Sequence, residues 1–234
     1  YWTVKLGTDG IQYDDWQPIM DGVRLAGCFC PHSMNGFRAS LRPRLSPAQI
    51  SAPPFPPLAS FSSRSYLLSR AKVVDDQDFL KRWAKLPLVM HFRDFQFESV
   101  RDFYAEVAAE VRRTAGAGAT MTTNNGLRTG YGIGMARVND YLACEIHYGS
   151  RYRRLDERMT YPFKAADGLG MHIAANPWMQ DWGYLTVHPR PQMVRAWIAV
   201  TYALGHNMMV PHFQSALLQR KKPGPFELVW YQMK

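Results

Sequence analysis

An α/β chain of the (β/α)8 TIM barrel class is the fold this sequence predicts, on three observations. Short apolar strands alternate with amphipathic helical stretches, which is the pattern of parallel β/α units. Several of those strands end in polar residues followed by long loops, the place where a closed barrel assembles its site. The 234 residues, 47% hydrophobic and 20% charged, suit one sizeable globular core. About five units are counted where eight are expected, so the barrel is expected to be incomplete on its N-terminal side. The chain reads as a single catalytic domain over residues 1–234.

Taken in order, residues 9–15 (Asp9 to Asp15) read as a short buried strand ending in two acids. Cys28 to His32 is a compact loop, and Met34 to Leu41 starts a helix. Residues 43–73 are expected to be an irregular excursion, Pro- and Ser-rich up to Pro57. Val74 to Trp83 reads as helix, with Asp75, Asp76 and Asp78 suited to its start. Ser99 to Thr114 carries Val100, Phe103, Val107 and Val111 at helical spacing. Gly116 and Gly118 stop it. Ala119 to Asn124 is a strand, followed by a Gly-rich loop to Gly134. Tyr141 to Ile146 and Leu169 to Ala175 are further strands. Met193 to Leu204 is a helix with Gly205 as its cap, and residues 207–211 are a last strand.

A formal charge of +9 raises the question of nucleic acid, but only residues 151–154 and 220–222 are densely basic, and no nucleic-acid partner is expected. No apolar run is long enough to span a bilayer, so no membrane partner is expected either. The chain opens Tyr1-Trp2-Thr3-Val4 without a Met, so the absence of a leader is silent about secretion. Cys28, Cys30 and Cys144 are too few for a disulfide framework. Cys28, Cys30 and His32 leave a zinc site one ligand short, and neither metal nor cofactor is expected. An open parallel sheet would expose strand edges and favour homo-oligomers.

The chemistry-bearing residues gather at the expected strand ends. Asp14 and Asp15 close the first strand, where one side chain faces the barrel mouth and the other bonds to the loop. Glu145, between Cys144 and Ile146, is an acid in an apolar strand that must be partnered or functional. Cleaving a glycosidic bond takes a proton donor and a second carboxylate across the bond. Asp14, Asp15 and Glu145 are therefore the catalytic candidates, with Asp181 in reserve. His91, Asn124, His147, His172, Trp178 and His212 are the candidates for lining a sugar subsite. Twelve Phe, twelve Tyr and seven Trp supply rings that stack on sugars or fill cores. The metalloprotease, nucleophile-elbow, P-loop and dinucleotide motifs do not occur.

The segment Cys28-x-Cys30-Pro31-His32, with Met34, Gly36-Phe37-Arg38 and Leu41, resembles the loop and helix after the fourth strand of family 42 glycoside hydrolases. Phe92-Arg93-x-Phe95-Gln96-x-x-Ser99-x-x-x-Phe103 with Thr122-Thr123-Asn124, and Arg195-x-Trp197 through Ala203-x-Gly205, are similar to later helices and a strand of that family. Related glycosidase-like barrel proteins share the Asp-Gly-Ile-x-x-Asp-Asp strand. The chain departs from the family in having Asp14-Asp15 where an Asn-Glu pair stands, Ser33 for a third Cys, and no acid between His172 and Trp178. The resemblance implies a barrel O-glycosidase with a carbohydrate substrate, without specifying β-galactosidase activity. A non-catalytic carbohydrate-binding protein is the alternative.

Overall fold

The computed structural model describes residues 7, 9–14, 27–46, 48, 57–86, 88–124, 126–127, 130–149, 155–178, 181 and 190–209. The chain divides into two compact units, Tyr1–Trp16 with Ala105–Lys234, and Gln17–Tyr104.

The first unit carries the strands. β1 (Gly10–Tyr13) pairs in parallel with β2 (Thr120–Thr123), Gly10 opposite Thr120 and Tyr13 opposite Thr123. Only a glycine fits at position 10: a Cβ there would stand 2.3 Å from Thr120 Oγ1 and 2.9 Å from its carbonyl oxygen. β3 (Leu142–Ile146) pairs in parallel with β4 (Ile173–Pro177), and β4 with β5 (Asn207–Met208). Between β2 and β3 regular pairing gives way to one parallel bridge, Asn124 to Ala143. Side chains complete the joint. Thr122 Oγ1 donates to the Tyr141 carbonyl at 2.6 Å and accepts from Ala143 N at 3.3 Å, and Asp140 Oδ2 accepts from Met121 N at 2.7 Å.

The expected eight-stranded closure is not observed. Among the described residues there are two small parallel sheets, of two and three strands, and no TIM barrel. Alternation of strand and helix is common to every parallel α/β architecture. It identifies parallel units without specifying that they close.

Period-two alternation gives the three-stranded sheet one apolar face. Leu142, Cys144 and Ile146 of β3 and Ile173 and Ala175 of β4 are buried in a core with Phe163 and Ala166 of the helix Thr160–Leu169 and Trp197 of the helix Pro191–Ala203. Leu142, Ile146, Phe163 and Ile173 among them each contribute about 1.5–3 kcal/mol on burial. The Thr160–Leu169 helix ends at Gly170, whose φ of 66° is left-handed and whose N–H reaches the Asp167 carbonyl. At the start of β4, buried His206 accepts from Ile173 N through Nδ1 at 3.2 Å and sets Nε2 3.3 Å from Asp167. Residues 130–134, expected within a Gly-rich loop, belong to the short helix Gly130–Ala136.

The second unit is helical. The helix Pro31–Leu41 has Cys30 as its N-cap, with Sγ accepting from Ser33 N, and buries Met34, Phe37 and Leu41. Phe37 lies at the centre of a ring cluster, 4.9 Å from Phe92, 5.7 Å from Phe95 and 6.0 Å from Phe61. Phe61, Tyr66, Leu67 and Val73 are buried, so the later part of the expected excursion 43–73 is core, shaped as a helical turn at Ser63–Ser65 running on into Tyr66–Arg70. Asp75 caps the helix Asp76–Arg82 by accepting from Asp78 N at 2.7 Å. The helix Val89–Ala115 starts ten residues before the expected Ser99, and its residues from 105 onward belong to the first unit. Among the described residues no helix is long and apolar enough to cross a membrane.

Candidate functional site

The site is assembled at the C-terminal edge of the strands in the first unit. Register decides which side chains share a face. Gln12 stands opposite Thr122, Asn124 is bridged to Ala143, Ala143 stands opposite Ala174, and Glu145 opposite Asn176. Residues two apart on one strand point the same way. The face opposite the apolar core therefore carries Thr122, Asn124, Ala143, Glu145, Ala174 and Asn176. Asp14 follows Gln12 by two positions and joins this face: Asn124 Nδ2 donates to Asp14 Oδ1 at 3.0 Å, and Asn124 N donates to the Tyr13 carbonyl at 2.9 Å. Glu145 is the one exposed residue of β3. Across from it, Asn176 Oδ1 is buried with no hydrogen-bond partner among the described residues.

Just beyond β3, His147 continues the parity of Glu145. Its Nδ1 lies 3.7 Å from Asp181 Oδ2, an ion-pair distance longer than a hydrogen bond. The His147 side chain is 30% exposed and that of Asp181 only 3%. Asp181 is fixed from two sides, Oδ2 accepting from Tyr148 N and its own N–H donating to the Trp178 carbonyl, both at 2.8 Å. Trp178 N donates to the Ile146 carbonyl, and the Trp178 ring meets the imidazole edge-on with centroids 3.9 Å apart.

A second carboxylate stands nearby. Asp156 N donates to the Tyr148 carbonyl, and the Arg158 guanidinium and backbone N–H bond to the Asp156 carboxylate. Those bonds to Arg158, with a smaller contribution from the charge of His147, hold the Asp156 carboxyl down at about 2. Tyr148 itself turns to the core face, where its hydroxyl pairs with Thr201 at 2.6 Å and burial pushes it up to about 12.

Asp14, Asn124, Glu145, His147 and Trp178 are thus placed at one edge of the strands. Two candidates lie elsewhere. His172 precedes β4 and gives its carbonyl to Leu142 N, which puts it at the N-terminal edge, the opposite end of the strands. His91 belongs to the first turn of the helix Val89–Ala115, in the second unit, and ends no strand. Asp15 and His212 lie outside the described residues. Two further participants, Asn176 and Asp156, carried no signal beyond their nearness to a strand end; Asp181, held in reserve, proves to be buried against His147. In the loop Cys28 to His32, the exposed Cys30 thiol bonds to the Ser33 hydroxyl at 3.4 Å and its Sγ accepts from Ser33 N at 3.5 Å, with smaller contributions from Cys28 and the His32 backbone. Together they bring its thiol down to about 7.

Comparison of the chain with protein-family models, with curated proteins and with solved structures found no match, so the resemblance to family 42 glycoside hydrolases stands on the quoted motifs alone.

Proposed function

We propose that the C-terminal edge of the strands binds a carbohydrate and that Asp14 and Glu145 hydrolyse its O-glycosidic bond. One observation carries the reading: the two acids share a face and an edge, with Asn124 bonded to Asp14. Asp14 and Glu145 are separated by two strand spacings and two residues along the strand, about 12 Å between Cα atoms. Over that span a short and a long side chain on one face can bring their carboxyls to the roughly 6.5–9.5 Å of an inverting pair. Asn124 and Asn176 are suited to sugar hydroxyls, and Trp178 offers a ring for a pyranose face.

In this mechanism Asn124 orients the Asp14 carboxylate as the base that takes a proton from the attacking water, and Glu145 delivers a proton to the leaving oxygen. The test is a panel of chromogenic glycosides, galactosides and fucosides first, with the wild type, Asp14→Asn and Glu145→Gln. Each variant should retain the wild-type circular dichroism and lose about 10²–10⁴-fold in kcat/KM. Full activity in both variants, or sugar binding without turnover in the wild type, would overturn the hydrolytic assignment. The second result would instead identify a non-catalytic carbohydrate-binding protein.

A further inference from the structure

His206 stands at the N-terminal edge of the three-stranded sheet, opposite the edge that carries Asp14 and Glu145, and takes no part in the function proposed above. The geometry points to His206 as a proton-operated latch: neutral, it fastens the start of β4 to the start of β5, and protonated, it lets that rung go.

The latch follows from which ring nitrogen carries a proton. Nδ1 accepts from Ile173 N at 3.2 Å, so in the neutral ring the proton is on Nε2, which faces Asp167 Oδ1 at 3.3 Å. A protonated imidazole has two N–H donors and no acceptor. Protonation therefore sets Nδ1–H against Ile173 N–H, donor to donor, around a side chain only 2% exposed. A buried N–H without an acceptor is costly, so the rung opens.

The surroundings hold the ring in place while its bonding changes. Asp167 gives the cation a partner at Nε2. Lys164 first, and the charge of His206 in smaller part, keep the Asp167 carboxyl below its usual range, so it is an anion wherever the imidazole titrates. Lys164, 2.7 Å from Asp167 Oδ2, also shares that carboxylate and weakens its hold on the ring. The His172 ring meets His206 edge-on with centroids 6.0 Å apart, and a proton on either repels one on the other. Among the described residues, Asp167, Lys164 and His172 are thus the charged and titratable groups about the ring. Phe163 stacks on it at 5.1 Å, and the Thr201 carbonyl accepts from His206 N at 3.1 Å.

The rung matters because β5 is short. Asn207 and Met208 pair with Ala174 and Ala175, and Met209 N donates to the Ala175 carbonyl at 2.8 Å. The bond from Ile173 to His206 extends this ladder by one position at its start. The other side of β4 is tied separately, by Leu142 N donating to the His172 carbonyl at 2.8 Å, so the release is confined to the β4–β5 seam.

The test uses the full chain across about pH 5 to 8, where histidines ordinarily change charge. Nitrogen-edited NMR reads the imidazole, with His206 assigned through His206→Asn, and amide exchange, expressed as protection factors, reads the backbone. The neutral ring should be the Nε2–H tautomer. As it takes up a proton, protection at Ile173 should fall about tenfold or more, while Leu142 keeps its own. In His206→Asn, whose Oδ1 stands near the place of Nδ1 without titrating, Ile173 should hold one protection factor throughout. An Nδ1–H tautomer, a ring that stays neutral over the whole range, or protection at Ile173 that ignores the imidazole would overturn the latch. So would a pH-dependent loss that persists in His206→Asn. The wild-type readouts decide even where the variant fails to fold.

Discussion

The two units employ their polar side chains for different ends. In Gln17–Tyr104, polar groups are consumed in holding irregular backbone: Arg38 donates to the Phe61 carbonyl, Arg82 to the Ala71 carbonyl, and Asp75 caps a helix. What remains inside is an aromatic cluster around Phe37. In the strand-bearing unit, β3, β4 and β5 satisfy one another through their ladders, and helices cover one face with apolar residues. Asp14, Asn124, Glu145 and Asn176 are left to project from the other face. Regular pairing frees side chains for ligand chemistry, whereas short turns and broken helices consume them.

The largest effects should come from the two cores. Phe37→Ala and Trp197→Ala each remove a fully buried ring, one per unit, and each should cost about 3–5 kcal/mol in urea unfolding. A loss below about 1 kcal/mol for either would break the contrast, since that unit's core could not then be the source of its stability. The joint between β2 and β3 comes next. Thr122→Val strands the Tyr141 carbonyl and the Ala143 N–H in a buried place, at a cost of about 1–3 kcal/mol. Amide exchange at Ala143 should accelerate selectively, and unchanged exchange there would show that the bridge to Asn124 suffices alone.

The smallest effect is a pH dependence. Bonding to Arg158 depresses the folded-state value of Asp156, so its contribution is present at neutral pH, above the unfolded carboxyl value of about 3.9. It fades as pH falls from about 4 toward about 2. Wild type and Asp156→Asn should therefore differ in urea midpoint at pH 7 and converge near pH 2, and a difference that persists there would mean that the pair acts by packing instead of charge.

Much of the first unit was legible from sequence because its signals are local. Thr120–Thr123 and Leu142–Ile146 are bounded by breakers, and Asp14 and Glu145 were placed at strand ends. Closure into a barrel was not legible, since it depends on partners for the edge strands and not on any one β/α unit. Helical spacing marked the helix only from Ser99, through Val100, Phe103, Val107 and Val111; its earlier start at Val89 goes with the packing of Phe92 and Phe95 on Phe37. Three glycines disguised Gly130–Ala136, whose Met135 and Ala136 are nevertheless buried. The placement of the Asp181 carboxylate depends on a backbone N–H thirty-three positions away, which no local pattern encodes.

Gly10 bears on more than the pairing it permits. With no side chain there, β1 can lie close enough to Thr120 to lock its four residues in a single frame against β2. Were β1 to slide by one position, every side chain along it would invert, and in one of the two directions Tyr13 would take the place of Asp14 in front of Asn124. A bulkier residue at position 10 would thus disturb the strand edge from its far end, leaving Asp14 and Asn124 themselves unaltered.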